Sequence, residues 1–256
     1  MGRLLIVPLS ALPEVQPDDD LPALIGGAWQ SAMADDSELA PRPSDVLVVT
    51  QKVVSKAEGR IVDLRHVEPR PEARDFAQRW DRDPRQVEVV LRESAEVLRM
   101  ERGIIISRTH HGFVCANAGV DASNTGAAEL VTLLPEDPDA SAAALHDGIG
   151  RLLGTSVAVV VSDSFGRPWR FGIVDVALGV AGFAPLDDQR GRPDADGRTM
   201  RSTVVAVADE ICSAAELAAG KTSRQPVVLV RGVDLPTGDG SVRRDVVMPR
   251  SMDLFR

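Results

Sequence analysis

Short apolar runs alternate along this chain with longer segments whose apolar residues recur at helical spacing. Runs rich in Val, Leu and Ile predict buried strands, and the longer amphipathic segments predict helices. The predicted strands are Leu4–Leu9, Asp45–Val54, Gly103–Ser107, Phe113–Ala116, Val157–Val161 and Pro226–Val230, and Leu130–Leu134 and Asp175–Ala181 are further apolar segments. The predicted helices are Leu21–Met33, a long helical region over Pro71–Arg102, Ala142–Leu153 and Val204–Ala219. This alternation indicates an α+β or mixed α/β protein.

The stretch Ser156–Gly172 joins a predicted buried strand to polar and charged residues. The apolar run Val157–Val161 is expected to end at Ser162-Asp163-Ser164. A loop then carries three further polar or aromatic side chains, Arg167, Trp169 and Arg170. Ligand sites in α/β folds lie at the carboxyl ends of strands, but Asp at a strand end is also common in ordinary turns. This segment alone leaves both interpretations open.

A second acidic residue and a pair of lysines follow other predicted strands. Asp121 lies in the polar, glycine-containing loop 117–126, and Lys52 and Lys56 lie at the end of the strand predicted over Asp45–Val54. Lysine at a strand end is often simply solvated. Carboxylates and ammonium groups at strand ends also suit metal-assisted phosphoryl chemistry, because metal ions neutralise developing charge and cations hold phosphate groups.

The composition limits the class of protein. In 256 residues, 44% are hydrophobic and 26% charged, as expected of a soluble globular protein. The formal net charge of -9 argues against nucleic-acid binding, which needs clustered cations. Two separated cysteines, Cys115 and Cys212, fit a reducing compartment. The sequence shows neither a signal peptide nor about 18 consecutive apolar residues, so we expect a cytoplasmic protein without a membrane partner.

Two other features of the sequence have more than one interpretation. Gly220-Lys221-Thr222 looks like the end of a phosphate-binding P-loop, but Ala215 stands where the first glycine belongs, and the segment follows a predicted helix. A helix C-cap explains it better. The segment Asp187–Arg201 holds four Asp and four Arg, and both a disordered loop and a substrate-contacting loop agree with it.

Long motifs along the chain resemble those of the coenzyme F420-0:L-glutamate ligase (F420 gamma-glutamyl ligase) family. In order they are LPEV, VVTQKVVSKAEGRIVDL, RTHHGFVCANAGVDASN, LLPEDPDASA, VVVSDSFGRPWRFGIVDVALGVAG, VAVADEICSAAEL and DLFR. The resemblance implies a family-specific mixed α/β fold, neither Rossmann nor ATP-grasp, in an intertwined homodimer. It also implies a single ligase domain over residues 1–256, with two subdomains as an open alternative and without the C-terminal nitroreductase-like domain of some bacterial relatives.

The resemblance further implies an activity. The expected enzyme uses GTP to convert the terminal carboxylate of F420-0 to an acyl phosphate, which the amino group of L-glutamate attacks, releasing GDP and phosphate. Further rounds extend a gamma-linked chain. Mg2+ or Mn2+, two ions per active site, and K+ are the expected cofactors. Two alternatives stay open: an amide ligase of the same fold that acts on another carboxylate and amino acid, and a non-catalytic nucleotide-binding homologue.

Matching motifs carry the family's site residues onto this chain. The implied nucleotide-binding residues are Leu12, Pro13, Glu14, Val15, Gln51, Lys56 and Asn124. The implied metal ligands are Asp121, Asp163, Ser164 and Glu210. Of these, Asp121, Asp163 and Lys56 are the expected catalytic group. Gln51 stands where relatives often have Ser or Thr. Arg167 and Arg170 are predicted to face the acidic substrates because of their charge.

Overall fold

The structure of the protein is a computed structural model and describes residues 3–122 and 129–254. Its strands are β1 (Leu5–Pro8), β2 (Val46–Thr50), β3 (Ile61–Asp63), β4 (Ser94–Glu101), β5 (Ile104–Thr109), β6 (Val114–Ala116), β7 (Leu130–Thr132), β8 (Ala158–Arg167), β9 (Arg170–Ala181), β10 (Asp187–Asp188), β11 (Val204–Val205) and β12 (Val227–Arg231). Its α-helices are α1 (Leu21–Asp35), α2 (Gln51–Ala57), α3 (Pro71–Trp80), α4 (Pro84–Arg92), α5 (Pro138–Leu153) and α6 (Val207–Ala219). The mixed α and β class is therefore confirmed.

A five-stranded sheet organises the fold, in the order β1–β12–β2–β8–β9. Neighbouring strands are antiparallel except β2 and β8, which run parallel and pair Thr50 with Ser162. Since parallel strands end at the same edge of a sheet, the residues that follow Thr50 and Ser162 lie side by side.

Alternating residues of the central strands form two cores, one on each face of the sheet. One face packs Leu47, Val159 and Leu229 against α1 and α5. The indole of the fully buried Trp29 in α1 donates a 2.8 Å hydrogen bond to the carbonyl of Leu39. The opposite face packs against α6 through residues that include Ile211, Cys212 and Ala215. Helices therefore cover both faces of the sheet.

Two features shape the hairpin of β8 and β9. The register between the strands shifts from Val161/Gly179 to Ser162/Ala177, which marks a β-bulge where β8 leaves the central sheet. At Gly179 a β-carbon would lie 2.1 Å from the carbonyl oxygen of Pro138, so only glycine allows the start of α5 to pack this closely. The bulge redirects the outer half of the hairpin, which carries Asp163.

A separate core lies among α3, α4 and the smaller sheets β3–β7 and β4–β5–β6. Its buried carboxylate, Glu88, accepts hydrogen bonds from the backbone and guanidinium of Arg70, at 2.9 Å, and from Arg92, at 2.8 Å. These partners hold the pKa of Glu88 at about 2, with the Arg70 side chain contributing most. The network links α4 to the start of α3.

The structure corrects the long helix predicted over Pro71–Arg102. Asp81 adopts a left-handed conformation at the end of α3, and Asp83 caps a second helix, α4. Residues Ser94–Glu101 then form β4, which pairs with β5. Arg102 and Gly103 have positive φ, as a two-residue hairpin turn requires. Val97 and Leu98 therefore belong to a strand, because pairing with β5 outweighs their helical spacing. The strands predicted over Gly103–Ser107 and Phe113–Ala116 are confirmed as β5 and β6, which pair as an antiparallel hairpin.

Two strand boundaries were also wrong. The strand predicted over Asp45–Val54 ends at Thr50, and Gln51 begins α2, so Lys52 and Lys56 lie on a helix. The strand predicted over Val157–Val161 continues to Arg167. The segment 162–164 is therefore not a strand end, because its pairing with β9 extends the hairpin beyond the central sheet.

The structure also defines the two polar segments whose interpretation the sequence left open. Residues between β10 and β11 pair across a long turn, in which Gly191 and Arg192 exchange backbone hydrogen bonds with Met200. The segment Asp187–Arg201 therefore folds as a hairpin arm, and its contact with substrate stays a prediction. Gly220 ends α6, which confirms the helix C-cap. Across residues 3–122 and 129–254, every helix is too short or too polar for a membrane span.

Candidate functional site

Asp163 lies at the centre of a group of acidic residues on the outer half of β8. Burial, more than the carboxylates of Asp121 and Asp175, raises the pKa of its carboxyl to about 7. The backbone N–H of Ser164 and the ammonium of Lys52 act in the opposite direction. Three acidic side chains from separate parts of the chain therefore act on one another. Because a positive charge favours the ionised form of a buried carboxyl, this group attracts a cation.

Asp121 is fixed by both its backbone and its side chain. Its N–H and C=O exchange hydrogen bonds of 3.0 and 2.8 Å with the backbone of Thr132, at the end of β7. Its Oδ2 lies 2.8 Å from the ammonium of Lys52, which α2 presents. The parallel pairing of β2 with β8 stops at Thr50 and Ser162, so α2 begins next to the segment of β8 that bears Asp163.

A second polar cluster adjoins Asp163. Ser164 pairs with Asp175 across the hairpin, and its hydroxyl donates a 2.5 Å hydrogen bond to Asp175 Oδ1. The ammonium of Lys221, just after α6, lies 3.0 Å from the same oxygen and also donates to the Ser164 hydroxyl. Our sequence interpretation missed Asp175 and Lys221. A turn placed at Pro168 and Trp169 would put Ser164 opposite Ile173, and only a register shift after Gly166 aligns Ser164 with Asp175. No local signal identifies Lys221.

The last turn of α2 meets the N-terminal loop. The ammonium of Lys56 forms an ion pair with the carboxylate of Glu14, which brings together two residues implied in nucleotide binding. Among the neighbouring residues of that loop, Val15 is buried, Leu12 is partly buried and Pro13 is exposed. Leu12 packs on the core beside α1. This loop therefore lies beside α2, and its contact with a nucleotide stays a prediction.

Gln51 occupies the junction between β2 and α2. Its Oε1 accepts a 2.8 Å hydrogen bond from the hydroxyl of Ser55, while its buried Nε2 has no partner among the described residues. The buried hydroxyl of Ser162, on the adjacent strand, also lacks a partner within that part of the chain. Buried polar atoms normally find a partner. These two atoms therefore indicate a place for water or a ligand beside Asp163.

Not every predicted site residue joins this group. Glu210 is exposed in the first turn of α6, and within residues 3–122 and 129–254 no hydrogen bond or ion pair connects it to the acidic cluster. The preceding residue, Asp209, instead accepts a 2.9 Å hydrogen bond from the backbone of Ala177. The metal role of Glu210 stays a prediction. Asn124 lies outside the described residues.

The two predicted substrate arginines lie at the end of the β8–β9 hairpin. Arg167 folds back and donates a 2.8 Å hydrogen bond to the carbonyl of Phe171, whereas Arg170 is exposed. Trp169 between them has a positive φ of 56° and is 81% exposed. The hairpin end therefore presents cationic and aromatic groups to solvent.

Cys115 on β6 does not add a nucleophile to the site. Burial raises the pKa of its thiol to about 12, and the nearby carboxyl of Asp163 adds to the effect. Because only the thiolate is strongly nucleophilic, Cys115 stays protonated and inert near neutral pH. Its interaction with Asp163 places β6 against the acidic group.

The donor atoms fit a hard divalent cation. Across residues 3–122 and 129–254, no three His, Cys, Asp or Glu side chains are grouped as a ready metal site. Mg2+, however, commonly takes one or two protein carboxylates and completes its shell with water and phosphate oxygens. Asp121 and Asp163 could supply those carboxylates, and a bound cation would offset the burial and the neighbouring carboxylates that raise the pKa of Asp163.

The fold and site together define a class of protein. A mixed α/β fold that carries paired acidic residues beside a lysine-bearing helix is a candidate for binding a metal ion together with a phosphorylated ligand. A model of the F420-0:gamma-glutamyl ligase family matches residues 10–232. The chain therefore belongs to the F420-0:gamma-glutamyl ligase family, and the resemblance of its motifs is confirmed.

Curated relatives match over nearly the whole chain. A protein of Methanothermobacter thermautotrophicus is 41% identical, over 98% of this chain and 98% of its own length. A protein of Methanopyrus kandleri is also 41% identical, over 100% of this chain and 99% of its own length. A third, from Methanocaldococcus jannaschii, is 38% identical, over 93% and 94% of the two chains. Each of these relatives is named coenzyme F420:L-glutamate ligase.

Proposed function

We propose that this protein is a GTP-dependent ligase that joins L-glutamate to coenzyme F420-0 and then adds further gamma-linked glutamates. The observation that carries the proposal is the 41% identity with a coenzyme F420:L-glutamate ligase over 98% of both chains. That alignment spans nearly every residue of the site. The acidic group of Asp121 and Asp163 and the pairing of Lys56 with the N-terminal loop supply chemistry suited to a phosphorylated co-substrate.

The proposed reaction has two steps. A carboxylate oxygen of F420-0 attacks the γ-phosphorus of GTP, the bond to the β-γ bridging oxygen breaks, and GDP leaves. The amino group of L-glutamate then attacks the acyl carbon, an amide bond forms, and inorganic phosphate leaves while the ammonium proton passes to solvent. The acyl phosphate stores the energy that amide formation from a free carboxylate lacks.

The protein's own residues would hold the charged groups of these substrates. Lys56 would exchange its contact with Glu14 for a phosphate oxygen, because an ammonium binds phosphate as a point charge. The unpartnered Gln51 amide and Ser162 hydroxyl could donate hydrogen bonds to the bound ligand. Arg167 and Arg170 would meet the acidic substrates, and Asn124 would contact the nucleotide. Mg2+ or Mn2+ at Asp121 and Asp163 would neutralise charge as it develops on the transferred phosphoryl group.

The remaining expectations are part of the same proposal. Two divalent ions would bind per site, with Ser164 and Glu210 as further ligands, and K+ would assist. The protein would act in the cytoplasm as an intertwined homodimer. The exposed side chains of Trp169, Phe171 and Ile173 on the β8–β9 hairpin support a second copy, because exposed aromatic clusters are typical of interfaces.

One assay tests the function. The protein is incubated with GTP, Mn2+, F420-0 and L-glutamate, and products are identified by mass spectrometry. We expect F420 carrying at least one glutamyl residue, together with GDP. If this product does not form, but GDP release depends on glutamate and occurs with another carboxylate acceptor, a ligase of different specificity is favoured. Nucleotide binding without any GDP release would favour a non-catalytic homologue. ATP in place of GTP tests the choice of nucleotide.

A further inference from the structure

The proposed reaction assigns no role to Lys221, which lies in the P-loop-like segment Gly220-Lys221-Thr222. It follows Gly220, the residue that ends α6, and its side chain is 47% exposed. The ammonium nevertheless contacts the Ser164 hydroxyl and lies 3.0 Å from Asp175 Oδ1. It therefore contacts the residue next to Asp163, although it lies more than fifty residues away along the chain.

The surroundings of the Lys221 ammonium consist of oxygen atoms. Besides Ser164 and Asp175, the carboxylate of Glu216 lies 3.7 Å away. Asp175 is buried, and the Ser213 hydroxyl holds its backbone carbonyl through a 2.9 Å hydrogen bond. Hydroxyl and carboxylate oxygens are also the ligands that a hard metal ion takes. The ammonium thus lies where a small cation would be coordinated.

The Ser164 hydroxyl has a limited number of bonding positions. It donates its hydrogen to Asp175 and accepts a hydrogen from Lys221, so one of its two lone pairs is already used. A divalent ion on this oxygen would lie within a few ångströms of the ammonium, and two such cations repel strongly at that distance.

We propose that the Lys221 ammonium occupies the metal position at Ser164 and Asp175 until a divalent ion displaces it. This inference rests on the proposed function in taking Ser164 as a metal ligand. Lys221 is accordingly a positioning residue: it keeps the Ser164 hydroxyl turned to Asp175 and sets the concentration of metal that the second position requires. Its exposed stem allows the ammonium to swing into solvent.

The test measures direct binding of Mn2+ to metal-depleted protein in the absence of GTP and F420-0. Electron paramagnetic resonance of free Mn2+ monitors this binding. We expect Lys221→Met to bind a Mn2+ ion at the Ser164 position about tenfold more tightly than the unmodified protein, because one nearby positive charge is lost. Lys221→Arg, which keeps that charge, should bind like the unmodified protein. Arg224→Met, which removes a positive charge three residues away, should leave the affinity unchanged.

Two further measurements complete the design. In the Lys221→Met background, Asp175→Asn should abolish the gain in affinity, because it removes a proposed ligand. Circular dichroism and thermal melting check that each variant folds. Unchanged or weaker Mn2+ binding by folded Lys221→Met, or an equal gain in Arg224→Met, would overturn the inference. Because neither substrate is present, these results are independent of whether the protein ligates glutamate to F420-0.

Discussion

The ammonium of Lys52 lies 2.8 Å from Oδ2 of Asp121, so α2 supplies the counter-charge to an acidic residue that lies beside β7. This ion pair joins two regions that the sequence separates by about seventy residues. Lys52 also lowers the pKa of Asp163. One lysine therefore acts on both acidic residues implied as metal ligands.

Replacing Lys52 should change the titration of Asp163. We expect Lys52→Met to raise the pKa of Asp163 above about 7, because a charge that favours its ionised form is lost. Carboxyl 13C NMR of metal-depleted protein across pH 5–9 measures this shift. Lys56→Met is the matched control, since Lys56 lies one helical turn further along and pairs with Glu14. An unchanged Asp163 titration in Lys52→Met would contradict the prediction.

The raised pKa of Asp163 predicts a pH-dependent stability. The folded protein holds this proton more tightly than the unfolded chain, whose Asp has a pKa of 3.8. The contribution of Asp163 to stability therefore falls as pH rises from about 4 to about 7, by at most about 4 kcal/mol. Asp163→Asn should remove this slope in urea titrations of metal-depleted protein. Asp209→Asn should remove only the separate part of the slope that comes from its own pKa, which burial on α6 raises.

Catalysis should depend on Asp163 much more than folding does. We expect Asp163→Asn to lower turnover by at least about 1,000-fold, because the variant loses an anionic ligand for the cation that stabilises phosphoryl transfer. Thermal melting and circular dichroism should show a folded protein. Product formation is followed by mass spectrometry under saturating GTP and Mn2+. Near-normal turnover by the variant would remove Asp163 from the proposed metal site.

The buried Glu88 network predicts a stability effect far from the acidic site. Its pKa of about 2 lies below the usual 4.5, so its contribution is complete above pH 4.5 and is lost as pH falls toward 2. Glu88→Gln should lower the free energy of unfolding at pH 7 by about 3 kcal/mol, since Arg70 and Arg92 lose a charged partner. Urea denaturation measures this change in the free energy of unfolding. Glu72→Gln, on the exposed side of α3, should cost less than about 0.5 kcal/mol.

The exposed end of the β8–β9 hairpin leads to a prediction about whether the protein is a dimer or a monomer. If Trp169 and Phe171 contact a second copy, the double variant Trp169→Ser/Phe171→Ser should shift the protein from dimer to monomer. Light scattering coupled to size exclusion measures the mass. Leu217→Ser, which alters another exposed apolar residue on α6, is the control and should stay dimeric. A double variant that remains dimeric would place the interface elsewhere.

Local sequence pattern predicted the central sheet well and other regions poorly. The strands β2, β8 and β12 contain the short apolar runs that a doubly covered sheet requires. The strand β4 was read as helix, because Val97 and Leu98 continue the helical spacing of α4 and only the distant pairing with β5 makes them a strand. Pairing between strands is a non-local interaction, so spacing along the chain does not reveal it.

The candidate site was predicted in part for the same reason. The resemblance of the motifs implied Asp121 and Asp163 as metal ligands. In the structure the two carboxyl groups are close enough to interact electrostatically. Asp175 pairs with Ser164 only because the hairpin extends past the central sheet, and Lys221 reaches them from the end of α6. These contacts depend on how separate elements meet. The sequence alone contains no spacing that connects them.

The parallel pairing of β2 and β8 also affects the order in which the protein folds. Thr50 and Ser162 lie side by side although about a hundred residues separate them, and α3, α4 and five smaller strands form within that interval. Closing so long a loop carries a large entropic cost before any contact compensates it. The intervening layer can acquire its own core first. We therefore expect the acidic site to form in a late folding step, so that a slowed or interrupted closure would leave a largely structured but inactive protein.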